Sequence, residues 1–174
     1  MEKGFLLYMI GRSGSGKSTI AEALEHEFKK NETFKVQVID GDVIRKELGD
    51  LFGYTFEERM KNNQVVRVIV QYLINNGINV VLSQVGAYQA MRDKMREQFG
   101  KQYIEIYVKC ATEECKRRDV KGYYKAKMEN LNGITDPFEE PLNSDLVIDT
   151  ESLNVSSAVE EIIIYLNEKK NIKV

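Results

Sequence analysis

Residues 11–18 read Gly-Arg-Ser-Gly-Ser-Gly-Lys-Ser and follow directly on the apolar run Phe5-Leu6-Leu7-Tyr8-Met9-Ile10. A strand giving way to Gly-x-x-x-x-Gly-Lys-Ser and then to a helix is the phosphate-binding P-loop pattern. Gly11, Gly14 and Gly16 let the chain turn tightly and aim successive N–H groups at one point. That point lies at the N-terminus of the next helix, where the dipole also favours an anion. Ser13, Ser15 and Thr19 belong to the same cradle. Lys17 adds a full positive charge for terminal phosphates, and the Ser18 hydroxyl suits Mg²⁺.

The rest of the chain alternates between the two periodicities. Strands are predicted at 5–10, 35–39, 79–83, 103–109 and 146–148. Helices are predicted at 17–30, after Thr55, at 88–99, from Thr112 and at 156–170. Thr55 with Glu58 three residues on is a capping-box pattern. Val65, Val66, Ile69, Val70, Leu73 and Ile74 then recur at helical spacing until Asn75-Asn76-Gly77 stops the helix. Alternating strands and helices imply an α/β fold: a five-stranded parallel sheet with helices on both faces. Residues 119–141 are polar, hold both prolines (Pro137 and Pro141) and lack a period. That stretch is too long for an ordinary connection and reads as a short lid over bound nucleotide. The whole chain, 1–174, reads as one domain.

Composition narrows the partners. A net charge of −2 leaves no basic footprint for nucleic acid. The apolar runs of about six residues fall far short of the ~20 that cross a bilayer, so no membrane segment is expected. Cys110 and Cys115 are the only cysteines and read as reduced thiols of a cytoplasmic protein. His26, the single histidine, sits among charged residues and reads as a solvated surface group.

Asp40-Gly41-Asp42 closes the second strand. In open α/β sheets, ligands bind beyond the carboxyl ends of the strands, so this pair is expected to face the P-loop. Asp42 is read as the base that takes the proton of an acceptor hydroxyl, with Asp40 beside the metal. Arg45 lies one helical turn beyond Asp42, and Arg59 and Asn62 share that spacing on the next helix. Together they suit a polyanionic acceptor. No Asn-Lys-x-Asp segment for guanine is present. A small domain with a P-loop and a lid points to a small-molecule kinase, with a non-catalytic nucleotide sensor as the contrasting class.

In combination these motifs resemble adenylylsulfate kinases. The resemblance is carried by residues 11–19, by Asp-Gly-Asp-x-x-Arg at 40–45, and by Arg59 with Asn62. It continues through Arg118-Asp119-x-Lys121-Gly122-x-Tyr124-Lys125, Gly133-Ile134-x-x-Pro137-x-Glu139-x-Pro141 and Asn143-x-Asp145-Leu146-Val147-Ile148-Asp149-Thr150. It implies a P-loop kinase fold, ATP and Mg²⁺ as cofactors, a homodimer, and transfer of the γ-phosphoryl of ATP to the 3′-hydroxyl of adenylylsulfate in sulfate assimilation. It implies further that Lys17 and Ser18 hold ATP and metal, that Asp40 and Asp42 flank the reacting hydroxyl, and that Arg118 lies near the ATP base. On the acceptor side it points to Asp42, Arg45, Tyr54, Arg59, Asn62, Val85, Gly86, Lys121, Gly122 and Leu131.

The departures fall on the acceptor side. The family's Ser-Pro after the third strand is here Gly86-Ala87, its Asn-Ile-Arg is Asn62-Asn63-Gln64, and its lid is about four residues longer. One of the two aromatic rings that hold the acceptor's adenine is matched by Tyr54, while Leu131 replaces the other. A ring stacked on a base contributes ~1–3 kcal/mol, so a smaller pyrimidine is the alternative. Cytidine diphosphoramidate, the acceptor of relatives that serve capsule biosynthesis, is that alternative; Tyr123 would restore the ordinary one.

Overall fold

Five consecutive residues without a polar group at a surface position make Leu6–Ile10 the natural centre of a sheet. They form β1, and all five are buried. The computed structural model describes residues 3–32, 34–119, 122, 124 and 137–174. The lid expected at 119–141 lies mostly outside these residues, as do Lys121, Tyr123 and Leu131. The other strands are β2 (Val36–Asp40), β3 (Asn79–Ser83), β4 (Tyr103–Lys109) and β5 (Leu146–Asp149). They pair in the order β2-β3-β1-β4-β5, and every pairing is parallel.

The α-helices are α1 (Lys17–Lys29), α2 (Gly41–Leu48), α3 (Phe56–Asn75), α4 (Gln89–Phe99), α5 (Thr112–Arg118) and α6 (Val155–Lys170). Side chains alternate across β1. Leu7 and Met9 pack with Ile20, Leu24 and Phe28 of α1 and with Ile162 and Leu166 of α6. Leu6, Tyr8 and Ile10 pack with Val66, Val70 and Ile74 of α3 and with Met95 and Phe99 of α4. Helices therefore cover both faces, and the apolar side of α6 is spent on the core.

The sequence did not mark out α2 as an element of its own. Asp40 ends β2 and at once caps α2, its side chain accepting from the Asp42 N–H. The Asp-Gly-Asp run is thus a strand-to-helix junction with no turn between. The capping box of α3 is present as expected: Thr55 accepts from the Glu58 N–H, and Glu58 accepts from both the N–H and the hydroxyl of Thr55. These bonds hold the Glu58 carboxyl below its usual range. From β1 the chain turns toward β2, and from β4 toward β5 on the other side, so the crevice between these connections opens at the end of β1.

Among the described residues no helix is long and apolar enough to cross a membrane. Replacing Thr55 with Ala removes the cap of the longest helix. It is expected to lower stability by about 1 kcal/mol, read as a lower urea midpoint with an unchanged slope.

Candidate active site

The P-loop emerges where β1 ends, and its glycines are set by close neighbours. A Cβ at Gly11 would stand 2.4 Å from the Val108 carbonyl oxygen, and one at Gly14 would stand 2.9 Å from that of Cys115. Lys17 is buried, and its ammonium donates to the carbonyls of Gly11 (2.9 Å) and Arg12 (2.8 Å). Ser15 is fully buried, its hydroxyl 3.4 Å from that ammonium. The Ser18 hydroxyl donates to Asp40 at 2.7 Å and lies 3.5 Å from the Ser83 hydroxyl.

A cavity of about 430 Å³ runs across this region. Ser13, Gly14, Gly16, Lys17, Ser18 and Thr19 form its floor, Asp40, Asp42, Ser83 and Val85 one end, and Arg118, Thr150 and Asn154 the other. The carboxylate pair and the phosphate loop therefore share one space. Gly11 and Ser15 lie behind its surface. Ser83 and Thr150 were not singled out as site residues. The strand-end rule would have found both, since Ser83 closes β3 and Thr150 follows β5.

Arg118 is fixed at the far end. Its Nε donates to Glu114 at 2.8 Å, its Nη1 to the Thr150 hydroxyl at 3.0 Å and its Nη2 to the Thr150 carbonyl at 2.8 Å. Hydrogen bonds from Arg117 and then Arg118 pull the Glu114 carboxyl from the usual 4.5 down to about 2. Glu114 therefore stays ionised, and the bonds that depend on it are complete above pH 4.5 and lost only as the pH falls through about 2.

The acceptor residues divide. The Arg45 guanidinium donates to the carbonyls of Phe52 and Gly53, and Arg59 Nε donates to the Tyr54 carbonyl at 2.8 Å. Both guanidinium carbons lie within 5.3 Å of the centre of the half-exposed Tyr54 ring. Burial first, and then the neighbouring Arg59, push Arg45 below its ordinary value. These two cations are thus gathered, but around Tyr54 rather than as an open fork. Asn62 is buried beside them, and its Nδ2 has no partner among the described residues. Gly122 is held by its N–H to the Asp119 carbonyl.

Gly86 has φ +58°, and a Cβ there would stand 2.6 Å from Ile10 Cγ2 and 3.0 Å from the Tyr8 hydroxyl. No side chain fits at the position where the resembling family has serine. The fully buried Arg92 donates to the Gly86 carbonyl and to Gln89, which fixes this loop from below. Cys110 and Cys115 are free and buried, and burial first raises the Cys115 thiol to about 12, which keeps that thiol protonated. His26 is exposed, as expected.

A phosphate loop, a charged lysine and a carboxylate pair in one cleft of a parallel sheet define a P-loop phosphotransferase with a hydroxyl acceptor. The family model described as Adenylylsulphate kinase matches residues 3–149. The chain belongs to the adenylylsulphate kinase family. The probable adenylyl-sulfate kinase of Aeropyrum pernix is 41% identical over 166 residues, 91% of this chain and 90% of its own. The adenylyl-sulfate kinase of Oceanobacillus iheyensis is 37% identical, with 98% of this chain and 87% of its own covered. The fold is also that of the Mycobacterium tuberculosis APS kinase solved with AMPPNP and APS: TM-score 0.88, 24% identity, 97% and 100% of the two chains covered.

Asn63, where the family's pattern has isoleucine, is fully buried, and neither its Nδ2 nor its Oδ1 has a partner among the described residues. Such groups cost about 1–3 kcal/mol. Asn63→Leu, close in shape, is expected to raise stability by about that amount, read as a higher urea midpoint; a lower midpoint would mean that an internal water holds the carboxamide.

Proposed function

We propose that the protein transfers the γ-phosphoryl group of ATP to the ribose 3′-hydroxyl of adenylylsulfate, giving 3′-phosphoadenylylsulfate. The observation that carries this reading is the shared cavity, in which Asp40 touches Ser18 of the phosphate loop and Asp42 stands at the same end.

The main-chain amides of residues 13–18 and Lys17 receive the β- and γ-phosphates. Lys17 exchanges its loop carbonyls for phosphate oxygens when ATP enters. Ser18 and Asp40 supply hard oxygen donors 2.7 Å apart, which suits Mg²⁺, an ion that binds through one or two carboxylates plus substrate phosphates. When bound, Mg²⁺ neutralises charge that develops on the phosphates. Asp42 orients the 3′-hydroxyl for in-line attack and takes its proton. Arg45, Arg59 and Asn62 receive the phosphate–sulfate end of the acceptor, with Val85 and Gly86 alongside and Tyr54 against the base. Lys121, Gly122 and Leu131 complete the acceptor side in this reading, and Arg118 lies against the ATP base. The enzyme is further proposed to act in the cytoplasm as a homodimer; Val68 and Tyr72 lie exposed on the outer side of α3.

Lys17→Ala and Asp42→Asn are each expected to reduce kcat by about 10²-fold or more with the fold intact. Near-normal turnover of Asp42→Asn at saturating substrates would remove Asp42 from the role of base.

The acceptor is tested by the ratio of kcat/KM for adenylylsulfate and cytidine diphosphoramidate. A preference of a hundredfold or more for the former, about 2.7 kcal/mol, is expected. The reverse preference would assign the enzyme to capsule chemistry. Absence of ADP with either acceptor would mean a nucleotide sensor.

A further inference from the structure

Thr150 stands where the donor end of the cavity meets the phosphate loop. Its N–H donates to the Lys109 carbonyl at 3.1 Å, which extends the β4–β5 pairing by one residue. Its hydroxyl donates to the Ser15 carbonyl at 3.0 Å and accepts from Arg118 Nη1 at 3.0 Å, and its carbonyl accepts from Nη2. The Lys109 carbonyl, 3.3 Å away, is a second acceptor for the same hydroxyl proton. Arg118 thus grips Thr150 through two nitrogens while Glu114 holds the third from the other side.

The chemistry of this spot is demanding. One atom must accept from a guanidinium and donate to a carbonyl, which a hydroxyl does and a methyl does not. Ser15 lies inside the phosphate cradle, and its carbonyl is an unusual place for a distant side chain to anchor. Arg118 and Thr150 together form the end of the cavity opposite the carboxylates.

We infer that Thr150 is a positioning residue for the donor nucleotide, tying the Arg118 plate that receives the base to the Ser15 carbonyl of the cradle that receives the phosphates. It touches no reacting atom. Its ligand class is a nucleoside polyphosphate, because only a molecule carrying both a base and a phosphate chain spans the two ends. Inorganic tripolyphosphate reaches the cradle alone. The inference rests on the donor reading proposed above.

The test measures binding of ATP and of inorganic tripolyphosphate to the wild type and to Thr150→Val, Thr150→Ser and Glu114→Gln, with steady-state kinetics alongside. Thr150→Val is expected to weaken ATP about tenfold and tripolyphosphate less than about threefold, because it loosens a charged hydrogen-bond pair beyond the phosphates. KM for ATP then rises more than kcat falls. Thr150→Ser restores the wild-type ratio of the two affinities. Glu114→Gln, at a partly exposed side chain outside the cavity lining, shifts the ratio in the same direction and decides the matter if the valine variant does not fold.

Equal weakening of both ligands by Thr150→Val, or failure of serine to restore the ratio, overturns the inference. So does an unchanged ratio in Glu114→Gln. A wild type that binds tripolyphosphate and ATP equally leaves the base without a site and overturns it too. A wild type that binds neither overturns the donor reading itself.

Discussion

The end of β2 is registered on the phosphate loop by the hydrogen bond from Ser18 to Asp40. In the sheet, β2 is separated from β1 by β3, so no ladder bond fixes the end of β2 against the phosphate loop. The Ser18–Asp40 bond does so at 2.7 Å, between a hydroxyl in the first turn of α1 and a carboxylate at the last residue of β2. The other oxygen of the same carboxylate takes the Asp42 N–H and so starts α2. One side chain therefore sets the distance between the cradle and the helix that carries Asp42 and Arg45. An O–H···O⁻ bond is among the stronger hydrogen bonds available to a protein, and it fixes geometry as well as adding energy.

The face of the sheet covered by α3 and α4 buries several polar side chains. Arg92 is fully buried and spends its guanidinium on the Gly86 carbonyl of the loop after β3 and on the side-chain amide oxygen of Gln89 at the start of α4. Glu105 is buried against the Tyr103 hydroxyl and Ser144, and its own N–H is held by Asp145. Asn63 contributes two groups without partners among the described residues. These buried polar groups collect on the face of the sheet covered by α3 and α4, and one of them, Arg92, holds the loop after β3.

Much of this was legible because short-range physics wrote it. The run at 5–10 had no alternative to a central strand, the glycine spacing at 11–16 fixed the cradle, and Thr55 with Glu58 marked the start of α3 to the residue. The helix at 41–48 was harder to see, because Asp40 serves at once as strand end and cap and leaves no connecting residues to signal a boundary. Helical spacing related Arg45 to Asp42 and Arg59 to Asn62, and the structure gathers the two arginines around Tyr54. Their pairing with Tyr54 was not visible, since it depends on how residues 52–54 fold back between the two helices. Ser83 belongs to no motif and Thr150 only closes the run at 143–150, so it is the strand order that brings both to the cleft.

The glycine at 86 has a consequence for how this sequence can change. Its left-handed backbone and the atoms of Ile10 and Tyr8 beneath it leave no volume for even a methyl group. A side chain there strains the backbone and needs the atoms of Ile10 and Tyr8 to give way, and both residues sit on the strand that feeds the phosphate loop. A change in this loop is therefore felt at the sheet's own centre, and the present arrangement is held in place by its foundations rather than by its surface.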